Sequence, residues 1–263
     1  MDEALVLYAV DEAGVATITL NRPEKLNAFT PAMIDLWVGH LQAASADPAV
    51  RVVVLAARGR AFCAGGDAGK LEERAAQDAL AVKDSLWRGV HRIPLLMEAL
   101  DKPTIAAING AARGAGLDMA LMCDLRLMAR SATVAESYIN IGVVAGDGGA
   151  WYLPRLIGID RALDLFWTGR SVGAEEAERI GLVTRMVEDA DLPSATQALA
   201  RAIAAQPAEA VRAYKRITWQ SLTLPLATHL DMVSAHSAVL RGTETHRDLV
   251  AKLARRPKRE GKG

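Results

Sequence analysis

Lys102-Pro103-Thr104-Ile105-Ala106-Ala107-Ile108-Asn109-Gly110-Ala111-Ala112-Arg113-Gly114-Ala115-Gly116-Leu117-Asp118 compresses a strand, a turn and a helix start into seventeen residues. Thr104–Ile108 is a short continuous apolar run, as a parallel strand covered on both faces requires. Asn109–Gly116 is a glycine-rich turn, and Leu117–Met122 reads as the start of a buried helix. Small residues in such a turn let a ligand approach the backbone, and its amides point out of a helix N-terminus, where negative charge is favoured. The pattern occurs once more upstream. The apolar run Val50–Ala57 leads into Gly59-Arg60-Ala61-Phe62-Cys63-Ala64-Gly65-Gly66-Asp67. Either loop alone reads first as a tight turn between strand and helix; facing one another, the two supply a pair of N–H donors to one oxygen.

Outward from these loops the pattern stays alternating. Ala4–Val10 and Val15–Leu20 flank Asp11-Glu12-Ala13-Gly14, a hairpin signal. After the breaker Asn21-Arg22-Pro23-Glu24-Lys25, Thr30-Pro31 predicts an N-cap and a first-turn proline for a helix through about Ala44. A helical stretch from Glu72 to about Leu100 is expected to kink or divide at Pro94. Further strands are expected at Leu125–Ala129 and Thr133–Ala135. Helices are expected over Ala150–Gly158, Asp160–Trp167, Ala174–Ile180 and Ala195–Ala205, then from Pro207 to Lys252 with Pro225 as a break. This order predicts an α/β core over residues 1–200 and a helical C-terminal region over 201–263. The basic Arg255–Gly263 tail is expected to fray.

Composition narrows the classes. The chain has 263 residues, 51% hydrophobic and 24% charged, enough for a large core without disulfides or metal. Lysine plus arginine and aspartate plus glutamate balance at 31 each, which removes any overall electrostatic case for nucleic acid. Cys63 and Cys123 form no CxxC pair and read as buried thiols. No apolar run approaches the roughly 18 residues of a membrane span, and the acidic N-terminus lacks a secretory pattern, so a cytoplasmic protein is expected. The histidines have no metal-ligand spacing, and a metal-free site is expected. Gly114-Ala115-Gly116 invites a dinucleotide reading, but Met119 stands where the third small residue belongs.

Asn21-Arg22-Pro23-Glu24-Lys25-Leu26-Asn27-Ala28, Ala61–Asp67, Lys102–Gly110 and Gly114–Asp118 together resemble successive motifs of the enoyl-CoA hydratase/isomerase (crotonase) family. The match continues through Cys123-Asp124, Gly148-Gly149, Leu153-Pro154-Arg155, Thr168-Gly169-Arg170 and Gly181-Leu182-Val183. The resemblance implies a spiral of ββα units with a C-terminal α-helical trimerisation region, in homotrimers or hexamers. It implies an acyl-CoA thioester as partner and no cofactor beyond the CoA moiety. The backbone amides of Gly66 and Ala115 are implied as an oxyanion hole. Lys25, Leu26, Ala28, Ala64, Gly66, Asp67 and Ala68 are implied around the adenine end of CoA. Asp67 either orders its loop or caps a turn.

The resemblance also implies which residues meet the acyl group. Hydratases of the family use two glutamates on one water. The first falls on Asp118, which keeps the carboxylate but is shorter by about 1.5 Å. The second falls on Tyr138, a phenol that ordinarily titrates near 10 and is no carboxylate base. Asp147 is the better second acid, and it either enters the pocket or N-caps the helix beginning near Gly149, the cap being the preferred reading. Glu136 lies farther from the reacting carbons in the family match. His91 reads as a pocket-lining or surface residue. One carboxylate beside an oxyanion hole suffices for double-bond isomerisation, which the loss of the second glutamate favours over simple hydration. The alternatives are a hydratase using Asp118 and Asp147, and an acyl-CoA-binding protein without turnover.

Overall fold

The computed structural model describes residues 3–67, 69 and 76–255. Ala68 and the expected frayed tail from residue 256 onward lie outside the described residues, as do residues 72–75 of the expected helical stretch. The chain divides into two compact units, one ending at Ala205 and the other beginning at Gln206.

The first unit holds two sheets. Strands β1 (Val6–Val10), β2 (Val15–Leu20), β3 (Val52–Ala57), β5 (Thr104–Ile108), β7 (Leu125–Ala129) and β10 (Arg185–Val187) form one sheet in that spatial order. β4 (Ala61–Cys63), β6 (Ala111–Arg113), β8 (Thr133–Ala135) and β9 (Val172–Gly173) form the other. β1 and β2 are the expected antiparallel hairpin, with Val6 opposite Leu20 and Gly14 at φ 78° in its turn. From β2 to β10 the larger sheet is parallel throughout.

From β3 to β8, consecutive strands go to different sheets. β3 is followed by β4, β5 by β6, and β7 by β8, so each repeat places one strand in each sheet before turning into helix. This is the expected ββα spiral. The helix after β6 is Ala115–Leu121, every residue of which is buried, and the helix after β8 is Gly149–Ile157. Covered on both faces, β5 is buried along its whole length, which is why its sequence shows no alternation.

Neither β4 nor β6 was legible as a strand, since three residues between glycines carry no periodicity. Packing of the glycines creates both. A Cβ on Gly110 would meet the Arg60 carbonyl oxygen at 2.2 Å, and one on Gly116 the Cys63 carbonyl oxygen at 2.1 Å. The two chain segments are therefore pressed backbone to backbone.

The first long helix runs Pro31–Ala46, with the Thr30 hydroxyl accepting from the Met33 amide. The break expected at Pro94 falls at Gly89 instead (φ −99°, ψ −106°), between Ala79–Ser85 and Arg92–Ala99. Pro94 sits in the first turn of the second helix, where a missing N–H removes no helical bond. The Cys123-Asp124 motif closes the base of β5: Asp124 accepts from both the amide and the hydroxyl of Thr104. Both cysteines are buried, and neither is in a disulfide.

The second unit contains Ala208–Gln220, Leu226–Arg241 and Glu244–Ala254. Pro225 precedes the middle helix, where the break was expected. These helices leave Leu226, Val239 and Leu253 largely exposed.

Asn27 carries the entrance to the first loop. It is fully buried in the left-handed region at φ 56°. Its side chain accepts from the Arg22 amide at 2.8 Å and donates to the Arg58 and Ala61 carbonyls, each at 2.9 Å. Asn27→Ala strands all three backbone groups and puts a Cβ-only residue at positive φ. A loss of about 3 kcal/mol is expected, read as a lower urea midpoint at unchanged m-value.

Candidate active site

Four elements bring the site together. Pro23–Lys25 forms a 3-10 turn, after which Leu26 and Asn27 both take positive φ. That reversal lays residues 26–29 against the β4 exit. The Ala64 amide donates to the Leu26 carbonyl, Phe29 to Gly65, and Asp67 back to Phe29. In the resulting parallel bridge, Gly65 and Asp67 face Phe29, so the intervening Gly66 directs its own N–H to the opposite side.

The second loop meets the first at this point. Gly65 (φ 91°) stands in a conformation that strains any side chain, and a Cβ there would lie a tight 3.0 Å from the Arg113 carbonyl oxygen, with the Ala115 nitrogen at 3.5 Å. Ala115 is the first residue of its helix, so its N–H is one that the helix leaves without an internal acceptor. Gly66 is exposed, whereas Ala115 is buried. The structure thus brings these two amide-bearing segments side by side.

Arg22 fastens the first loop. Its guanidinium pairs with Asp67 Oδ2 at 2.7 Å and donates to the Ala28 carbonyl at 3.1 Å. Asp67 Oδ1 also accepts from the Gly69 amide. Both readings of Asp67 hold: it orders the loop and caps a turn. The Arg22 hydrogen bond, with help from the Gly69 amide, holds the Asp67 carboxyl below the usual carboxylate range. Around it, Lys25 is exposed, Leu26 and Ala64 are half-buried, and Ala28 is buried.

Asp118 stands one helical turn after Ala115 and is fully buried. The Tyr138 hydroxyl lies 2.8 Å from Asp118 Oδ2 and 3.1 Å from Asp147 Oδ2, and the Asp147 amide donates to Asp118 Oδ2 at 3.1 Å. Asp147 therefore enters the pocket, against the preferred N-cap reading. The N-cap residue is Gly148 (φ 119°), and no side chain caps that helix. Gly148 turns the chain so that the Asp147 side chain faces Tyr138 instead of the helix end.

Glu136, set aside on the family match, is also part of the cluster. It is buried on β8's exit, and its carboxyl converges with that of Asp118 above Gly149. His91 Nε2 lies 2.8 Å from the Gly146 carbonyl oxygen, to which it must donate, and 3.9 Å from Asp147 Oδ1. Trp87 packs edge-on to the His91 ring.

Burial pushes the Asp118 carboxyl up to about 6; the Tyr138 hydrogen bond acts against that shift and the Asp147 charge with it. Glu136 is raised further, by burial first and the Asp118 charge second. Burial also raises Tyr138, which stays a neutral hydroxyl donor. A carboxyl raised in this way is suited to exchanging protons near neutrality. Among the described residues, no group of three or more histidine, cysteine or acidic side chains is arranged to hold a metal ion. No described helix is long and apolar enough to cross a membrane.

Sequence reasoning missed Arg22, Asn27 and Gly149 as organisers of the site, although all three lie inside motifs it singled out. A Cβ on Gly149 would stand 2.2 Å from Asp118 Oδ1 and 2.8 Å from Glu136 Oε1. The signal was a doubled glycine ahead of a helix, which reads as a turn until the acids are seen to need its space.

The family model described as enoyl-CoA hydratase/isomerase matches residues 11–249. The chain is similar to the 1,2-epoxyphenylacetyl-CoA isomerase of Escherichia coli, 36% identical over 250 residues that cover 93% of this chain and 94% of that one. The enoyl-CoA hydratase structure from Mycobacterium smegmatis superposes with a TM-score of 0.89 at 32% identity, covering 97% of this chain and 99% of the other. A monofunctional enoyl-CoA isomerase structure from M. smegmatis gives 0.74 at 34% identity, over 87% of this chain and 99% of the other.

Gly149→Ala is the sharpest test of the acid cluster's geometry. The added methyl displaces Asp118, and any proton transfer that depends on it is expected to fall on the order of 100-fold. The far-ultraviolet circular dichroism spectrum should stay native. Solvent-deuterium exchange into bound ligand measures the first quantity.

Proposed function

Since the chain belongs to the enoyl-CoA hydratase/isomerase family and is an enzyme of that family, we propose that it moves protons on an acyl-CoA thioester through an enolate, with Asp118 as the base and double-bond isomerisation as the reaction. In this reading the thioester oxygen accepts from the Gly66 and Ala115 amides. Charge leaving the acyl carbons accumulates on that oxygen, where fixed donors lower the barrier. Asp118 takes a proton from one carbon and returns it to another, and no co-reactant is consumed.

The observation that carries the choice is the Tyr138 hydroxyl bridging Asp118 and Asp147 at 2.8 and 3.1 Å. A water added across a double bond by two acids has to stand between them, and here a side-chain hydroxyl fills that position. Tyr138 then steadies Asp118 and dries the site. A second reading, hydration by Asp118 and Asp147, is supported by the entry of Asp147 into the cluster. The two readings separate on product mass.

Lys25, Leu26, Ala28, Ala64, Gly66 and Asp67 are proposed around the adenine end of CoA, on a loop that Arg22 keeps in place. Ala68 belongs to the same proposal by sequence alone. A homotrimer or hexamer is proposed as the working assembly, in keeping with the large exposed side chains Val144, Ile159 and Trp167.

The test is a panel of 2-enoyl, 3-enoyl and aryl-acetyl CoA thioesters in deuterated water. Deuterium gain or double-bond migration without mass gain by water is expected, and Asp118→Asn should lower the rate about 1,000-fold. A product heavier by one water, lost in Asp147→Asn, would overturn isomerisation in favour of hydration. Because the base has to be ionised, the rate of the wild-type enzyme should fall as the pH drops through about 6, the value to which burial raises Asp118. A rate flat from pH 5 to 8 would remove Asp118 as the base.

A further inference from the structure

Glu136 is used by none of the steps above, yet it is the most unusual acid in the molecule. It is 1% exposed, and neither of its carboxyl oxygens finds a hydrogen-bond donor as long as both it and Asp118 are taken as ionised. Asp118 Oδ1 is in the same position, and the two side chains converge on the space above Gly149. The groups that act on Glu136 are Asp118 from the helix after β6 and Asp147 from the loop before the next helix. Tyr138, from the intervening turn, spends its single proton on the aspartates. None of these is a lysine or arginine. Two buried carboxylates without a cation cannot both stay ionised, and one proton placed between them satisfies the stranded oxygens of both.

We propose that Glu136 is a positioning residue that carries this proton, donating its carboxylic O–H to Asp118 and so holding Asp118 ionised and aimed at the substrate. The assignment rests on Asp118 being the base, but the protonation of Glu136 stands or falls independently of catalysis. The geometry explains why burial alone does not neutralise Asp118. Its carboxylate receives a hydroxyl from Tyr138, an amide from Asp147 and an acid proton from Glu136. No bond to carbon forms or breaks at Glu136, and its proton is not consumed in turnover. The strong upward shift of the Glu136 carboxyl, caused first by burial, agrees with this arrangement.

Infrared difference spectroscopy on the ligand-free full chain tests the proton directly. At neutral pH the wild type should show a protonated-carboxyl carbonyl band that shifts on labelling with ¹³C-glutamate and is lost in Glu136→Gln. In Asp118→Asn, whose amide donates to an ionised Glu136, the band should titrate away at lower pH than in wild type. A wild type with no such band, or one that shifts only on aspartate labelling, would overturn the proposal. Stability supplies a second readout. A native chain that holds a proton released by the unfolded chain loses stability as pH rises above the ordinary glutamate value, so the wild-type melting temperature should decline from pH 5 to 9 and the decline should flatten in Glu136→Gln.

Catalysis separates a positioning role from a merely structural one. Glu136→Ala removes the donor, so the acidic limb of the pH profile should move up by about one unit, with kcat down about tenfold and KM within about twofold. Glu136→Gln keeps a donor and should recover most of kcat. A limb unmoved in Glu136→Ala would sink the positioning role. If the wild type shows the glutamate band but exchanges no thioester proton, the enolate reading fails while the acid pair survives. Exchange lost in Asp118→Asn without any band in wild type removes the pair alone.

Discussion

The close approach of the backbone at Gly116 to the Cys63 carbonyl is the constraint on which the remainder of the site hangs. With a Cβ excluded at 2.1 Å, the helix that begins at Ala115 can lie directly against the end of β4. The same contact sets Gly65 next to the Ala115 nitrogen and fixes where the helix directs Asp118 one turn later. The short strands β4 and β6 are held by this packing and not by their own propensity. Positive φ at Gly65 and Gly114 follows from it, because both segments must reverse within a residue or two of contact.

Electrostatics inside this frame run opposite to those at its rim. At the rim, Arg22 neutralises Asp67 and the pair fastens a loop at the surface. In the interior, Asp118, Glu136 and Asp147 crowd around one phenol, with His91 at the edge. Clustered buried acids cost folding free energy, and such a cluster persists where a function requires proton affinity near neutral pH. The neighbouring helix start favours negative charge at Ala115, as the oxyanion proposed within one turn of Asp118 would require.

Much of this was legible in the chain. Long buried strands announce themselves as continuous apolar runs, and the Thr30-Pro31 cap fixed a helix start to the residue. The α/β class followed from strand and helix alternation, and the ββα order from the family resemblance. β4 and β6 were not legible, because each lies inside a glycine-rich loop that reads as a turn, whereas the equally short β8 carries the β-branched Thr133 and Val134. The kink fell at Gly89 and not at Pro94 because a proline in a first turn breaks nothing. Within the site, Asp118, Gly66 and Ala115 were implied by the family resemblance, while loop chemistry alone pointed only to the two glycine-rich segments that carry them. The positions of Asp147 and Glu136 were misjudged because each depends on one dihedral, at Gly148 and at the exit of β8, that sequence spacing does not encode.

The way successive strands alternate between sheets has a consequence for substitution. The first and second repeats deliver the two backbone amides, while the second and third deliver the acids and the phenol. Main-chain donors are indifferent to side-chain replacement, so a substitution in the third repeat leaves the two amides, the proposed charge-stabilising half, in place. A protein built this way tolerates Tyr138 and Asp147 where proton transfer is decided without altering the backbone that would hold the thioester oxygen. Side chains from Asp118 to Asp147 can therefore vary separately from the main chain at Gly66 and Ala115.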